Sequence, residues 1–161
     1  MSKRRPKQVI RADDAIGRKL ESAAVECEIQ LAESGDGETP PAIEILAYTG
    51  QSMQVAGFAE RVVIDLAGMK APTKARPILF NHDRSQVLGH TERVDISASE
   101  VRVRACLSGA NARVSEIVES ARNKLPWQAS VGAPVERLER VASGKEVTVN
   151  GRRFVGPLLI A

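Results

Sequence analysis

Apolar and polar positions alternate early in the chain. Val25, Cys27, Ile29 and Leu31 are interleaved with Glu26, Glu28 and Gln30, the period of two expected of a strand with one buried face. The run SGDGETPP breaks that pattern as a loop or long hairpin, and residues 43–48 are apolar enough to predict a second strand. Residues 62–66 predict a third, residues 70–75 with Pro72 a loop, and residues 77–80 a short strand that delivers His82. Two further strands are predicted at 87–96 and 101–107; in the second, Val101, Val103, Ala105 and Leu107 alternate with Arg102, Arg104 and Cys106, so one face carries charge. Between 111 and 124 the period changes. Val114, Ile117, Val118 and Ala121 fall at helical spacing with Glu116, Glu119 and Arg122 between them, and Pro126 follows as a stop. Residues 127–131 return to strand, and residues 146–154 hold Asn150-Gly151, a strong hairpin signal. No internal repeat or low-complexity tract interrupts the chain. The pattern predicts a β-rich α+β domain.

Composition narrows the class. A chain of 161 residues is the size of one domain and long enough to bury a core. With 43% hydrophobic but only 3% aromatic residues, that core must rest on Val, Ile, Leu and Ala. The net charge of +3 comes from 23 basic against 20 acidic residues, a mixed surface that does not imply nucleic acid. The basic residues Lys3, Arg4, Arg5, Lys7 and Arg11 sit in residues 1–15 with little to bury, and this segment reads as a flexible, solvated arm. Cys27 and Cys106 have no framework spacing, which points to reduced, intracellular thiols. No apolar run approaches the ~20 residues that span a bilayer, and no apolar segment follows the N-terminal charges. A soluble cytoplasmic protein is expected.

Two segments carry candidate chemistry: PILFNHD, with His82, and WQASVG, with Ser130. A serine hydroxyl becomes a nucleophile when a base takes its proton, and histidine is the usual base because it titrates near neutrality. Gly132 would let backbone N–H groups turn toward an oxyanion without a Cβ in the way, so the amides of Val131 and Gly132 are candidate donors. The bland readings are a turn histidine between Asn81 and Asp83, and a serine that precedes a small residue by chance. A-S-V-G is not the nucleophile elbow of α/β-hydrolases. His90 with His82 and Asp83 matches no familiar metal-ligand spacing, and His90 reads as an ordinary strand residue. Trp127 reads as a core anchor, with a substrate-pocket wall as the alternative.

The apolar strand running into N-H-D, the V-L-G at Val87, Leu88 and Gly89, an alternating hairpin, a helix and then the S-x-G serine together resemble the caudovirus prohead serine protease family, in the order and spacing of the parts from about residue 43 onward. That family shares the assemblin fold of herpesvirus maturation proteases, so the resemblance implies a small β-barrel with flanking helices at residues 16–161. It implies Ser130 as nucleophile and His82 as general base of a phage or prophage capsid-maturation endopeptidase. The implied partners are segments of scaffold and major capsid protein, and the chain itself, inside the assembling prohead in the host cytoplasm; a homo-oligomer is compatible with it. No metal or organic cofactor is implied.

The third triad member is not assigned. The herpesvirus variant uses a second histidine after the serine, and none follows Ser130 here. In the phage branch the acid sits on a late strand, in a context that this chain lacks before it stops at PLLIA; that strand is expected beyond Ala161. Glu136, Glu139 and Glu146 follow Ser130 but lie in VERLER and GKEVTV, which read as solvated faces. Asp83 would point away from His82 if the strand continued through both. Two rivals stand beside the protease: a non-catalytic scaffold or assembly module with the same fold, and a nucleic-acid binder acting through the basic arm.

Overall fold

A computed structural model describes residues 19–21, 25–26, 30–31, 40–55, 57–129 and 132–161. The basic arm and Cys27 lie outside the described residues. The first strands are β1 (Lys19–Glu21), β2 (Val25–Glu26), β3 (Gln30–Leu31) and β4 (Ala42–Tyr48). They are followed by β5 (Arg61–Val63), β6 (Pro77–Leu79), β7 (Val87–Ile96) and β8 (Val101–Cys106). Helix α1 (Ala112–Arg122) comes next, then β9 (Gln128–Ala129), β10 (Gly132–Pro134), β11 (Glu139–Val141), β12 (Glu146–Val149), β13 (Arg152–Val155) and β14 (Leu158–Ile160).

The largest layer is a five-stranded sheet in the order β3-β4-β8-β7-β6, antiparallel throughout. Its alternating strands put Ile43, Ile45, Val101 and Ala105 into the main core, while Arg102, Arg104 and Glu44 remain exposed on the other face. Gly89 sits where β7 passes closest to the end of β8: a Cβ there would fall 1.9 Å from the Cys106 carbonyl oxygen. The glycine of V-L-G is thus a packing requirement of the sheet.

A second layer pairs β5 in parallel with β14, which pairs antiparallel with β11. Val62 and Leu159 face the main core, whereas Val63 and Leu158 face a smaller cluster with Val141 and Val149. Both strands are therefore buried on two faces, which is why they read as continuous apolar runs and not as alternation. Within PLLIA, Leu158–Ile160 forms the strand, with Leu158 and Leu159 buried. Among the described residues the ladders remain separate, including β1-β10, β2-β9 and β12-β13, and none closes into a barrel; there is one α-helix. The β-rich α+β expectation stands at that level.

Several boundaries differ from the sequence reading for identifiable reasons. The strand expected at 62–66 is assigned only as far as Val63; its pairing runs on, the Asp65 N–H donating to the Ala161 carbonyl at 2.8 Å, while the backbone groups of Ile64 itself are satisfied by side chains. The Ile64 N–H donates to Tyr48 Oη at 3.0 Å and its carbonyl accepts from Asn150 Nδ2 at 2.8 Å. Asp65 Oδ1 then accepts from the Ala67 N–H, starting a turn. Tyr48 Oη also donates to the Gln51 carbonyl, and burial pushes its phenol above the ordinary value. The helix expected at 111–124 begins at Ala112 because Asn111 caps it, its Oδ1 accepting from the Val114 N–H at 3.2 Å, a contact of the kind that stabilises a helix by about 1 kcal/mol; it ends at Arg122, where Asn123 follows as C-cap and Lys124 turns to φ 59°. The strand expected at 127–131 is described only at Gln128–Ala129.

Candidate active site

β6 is the edge strand that leads to His82. Leu79 is still extended, but the backbone then folds into a single 3-10 turn, Phe80–His82, with φ 50° at Asn81 and φ 58° at His82. The expected strand at 77–80 therefore ends one residue early. Asparagine and histidine tolerate the left-handed region better than most residues with a Cβ, though at a cost. The Asp83 N–H donates to the Phe80 carbonyl, the Gln86 N–H to the Asp83 carbonyl, and the Phe80 N–H to the Gln86 carbonyl, closing the loop on itself. His82 is half-buried on this loop.

Asp83 is committed elsewhere. Its Oδ1 accepts from the Ser85 hydroxyl at 2.7 Å and the Ser85 N–H at 2.8 Å, and Oδ2 accepts from Gln86 Nε2 at 3.0 Å. These bonds, the Ser85 hydroxyl foremost, hold its carboxyl below the usual range. Its role is to hold the loop that carries His82.

Phe80 ties this loop to the rest of the molecule. The Arg113 guanidinium of α1 lies over its ring at 4.6 Å from the centroid, and Trp127 meets it edge-on at 6.5 Å with an interplanar angle of 74°. Trp127 Nε1 donates to Ser120 Oγ at 3.1 Å, and Ser120 Oγ donates to the Ile117 carbonyl at 3.0 Å. The tryptophan is thus anchored to the helix and half-buried against the core, as its core-anchor reading expected. Phe80 is two residues before His82 and Trp127 three residues before Ser130, so segments far apart in sequence meet here. Phe80, Arg113 and Ser120 were missed by sequence reasoning. A terminal phenylalanine of an apolar run looks like any other core residue until its partner is known.

Ser130 and Val131 lie outside the described residues. Gly132 opens β10, opposite Glu21. The late carboxylates occupy exposed ion pairs: Glu136 with Lys70 at 3.9 Å, Glu139 with Arg137 at 3.5 Å, and Glu146 with Arg153 at 3.7 Å. VERLER is not wholly solvated, since Val135 is buried and Leu138 half-buried, but its glutamates face water.

His90 is exposed on β7, with Nδ1 2.8 Å from Ser108 Oγ. Opposite it, Cys106 is a buried free thiol whose pKa burial raises, with a smaller contribution from Glu92. Among the described residues no three His, Cys, Asp or Glu side chains gather as a metal would require, and no helix is long and apolar enough to cross a membrane.

Compared with protein-family models, curated proteins and solved structures, the chain finds no match.

Proposed function

We propose that this chain is a serine endopeptidase working through an acyl-enzyme. Ser130 Oγ attacks the scissile carbonyl, His82 accepts the hydroxyl proton and later delivers it to the leaving amine, and the backbone amides of Val131 and Gly132 stabilise the oxyanion. More narrowly, the resemblance of its motifs makes it a prohead-maturation protease. It would cleave scaffold and capsid-protein segments and itself inside an assembling shell, on an assemblin-like fold. The observation that supports this most is the contact between Phe80 and Trp127, which joins the His82 loop to the segment leading into Ser130. The left-handed backbone at His82 adds support, because unfavourable backbone conformations persist where a side chain has to be aimed.

The second reading is a non-catalytic assembly module on the same fold. It draws on the late carboxylates, which are engaged in surface pairs of their own. Mass-spectrometric mapping of a fluorophosphonate probe on the purified chain separates the two. Modification at Ser130 that disappears in His82→Ala is the expected result. A folded chain that takes up no probe, and whose Ser130→Ala variant assembles as the parent does, would sink the protease reading in favour of the module.

A further inference from the structure

Asn150-Gly151 does more than turn a hairpin. The side chain of Asn150 reaches three backbone groups in two other segments: Oδ1 accepts from the Leu66 N–H at 2.9 Å, and Nδ2 donates to the Ile64 carbonyl at 2.8 Å and the Gly50 carbonyl at 3.3 Å. Asn150 is half-buried, and the hairpin it heads contributes Val149 to the smaller core with Val63, Val141 and Leu158. One primary amide therefore fastens β12 and β13 to the chain leaving β4 and β5. Of the four asparagines in the sequence, only Asn150 is followed by glycine. Asn-Gly is the pair most prone to lose its amide, because no Cβ hinders approach of the glycine nitrogen to the asparagine Cγ.

We propose that Asn150 is a deamidation site whose reactivity is held in check by this clamp, and that its conversion releases the hairpin irreversibly. In the reaction the Gly151 amide nitrogen gives up its proton to solvent base and attacks Asn150 Cγ. The new C–N bond closes a cyclic imide as the Cγ–Nδ2 bond breaks and ammonia leaves with a proton. Water then opens the ring on either side, giving aspartate or isoaspartate; no electrons are transferred. In the closed clamp both donors of Nδ2 and an acceptor site of Oδ1 are occupied, so Cγ cannot rotate toward the Gly151 nitrogen without breaking these bonds together. Reaction requires local opening. Afterwards a carboxylate, with no proton to donate, faces the carbonyls of Ile64 and Gly50, and two attractive contacts become repulsive. The isoaspartate product also inserts a methylene into the turn, which destroys the two-residue hairpin geometry.

The test follows the full-length chain through ageing in mildly alkaline buffer, folded and in urea, with peptide mapping of Asn150 and with Asn81, Asn111 and Asn123 as internal controls. Conversion of Asn150 should be at least about tenfold slower in the folded chain than in urea, the gap reporting the clamp's opening equilibrium. The converted fraction, separated by charge from protein that folded with its amide intact, should lose hydrogen-exchange protection at Val147 and Phe154 while β7 and β8 retain theirs. Asn150→Asp should show the same loss if it folds. Equal rates in the folded and unfolded chain would overturn the proposal, as would a converted form whose hairpin keeps its protection.

Discussion

Among the described residues, two turns place two consecutive residues in the left-handed region, and they differ in what fills the second position. At the β12-β13 hairpin these are Asn150 and Gly151, with φ 54° and 71°; after β6 they are Asn81 and His82, with φ 50° and 58°. Glycine accepts this backbone without penalty, whereas a residue with a Cβ gives up roughly 1–2 kcal/mol. At the hairpin the geometry serves the register of the two strands, and the second side chain is dispensable. At the His82 loop the chain keeps an imidazole where glycine would be more comfortable, and compensates with the Asp83 bonds and the grip of Arg113 and Trp127 on Phe80. At the second position of the turn, the strain of a Cβ is thus kept in the His82 loop and avoided in the hairpin.

The largest effect that could break this contrast is on reactivity. His82→Gly should reduce probe labelling of Ser130 by about three orders of magnitude or more, as loss of a general base does. Thermal unfolding should occur no lower than in the parent, because relief of backbone strain offsets the freedom glycine adds to the unfolded chain. A large drop in melting temperature would mean that His82 is structural and that the two turns differ less than proposed. At the other turn, Asn150→Ala removes three hydrogen bonds and should cost about 2–4 kcal/mol in urea unfolding, at roughly 1 kcal/mol each plus the penalty for carbonyls left unpaired.

Smaller effects sharpen the contrast. Phe80→Leu keeps an apolar side chain but loses the ring contacts with Trp127 and Arg113, so Ser130 labelling should slow several-fold, about 1 kcal/mol; the helix content by circular dichroism should stay unchanged. Gly151→Ala should destabilise by about 1 kcal/mol, while His82→Ala, already at a position paying for its Cβ, should be close to neutral in stability. The smallest effect belongs to the bidentate pair of Arg140 with Glu60. The Arg140 hydrogen bonds hold the Glu60 carboxyl below its ordinary value. Its contribution is present above the ordinary glutamate range and is lost as pH falls through the lowered folded pKa. Glu60→Gln should therefore lower the melting temperature slightly at neutral pH, with the difference closing in acid and shrinking with added salt.

Much of the fold was readable from pattern. The strand at Val87–Ile96 has the predicted bounds, β4 and β8 fall within one residue of theirs, and the β12-β13 hairpin turns on the predicted Asn150-Gly151. These elements are long or carry a specific turn signal, so local periodicity and sterics suffice. Two of the misjudged boundaries lie at Ile64, whose backbone is met by the distant side chains of Tyr48 and Asn150, and at Phe80, whose N–H is taken by the Gln86 carbonyl of its own loop. His82 was legible as a candidate from its motif, but its left-handed backbone was not, because N-H-D following an apolar run looks like a continued strand.

The sequence by itself determined the types of the long elements, the β-rich α+β character, the placement of Gly151, and the two segments that hold the candidate residues. Each of these follows from local rules: side-chain periodicity, Cβ sterics, and the reactivity of a residue type. Only the tertiary structure decided which face of β5 meets which core and that Phe80 meets Trp127. These depend on groups far apart in the chain becoming neighbours, and the free energy of that meeting comes from burial and shared hydrogen bonds that no local window of sequence contains.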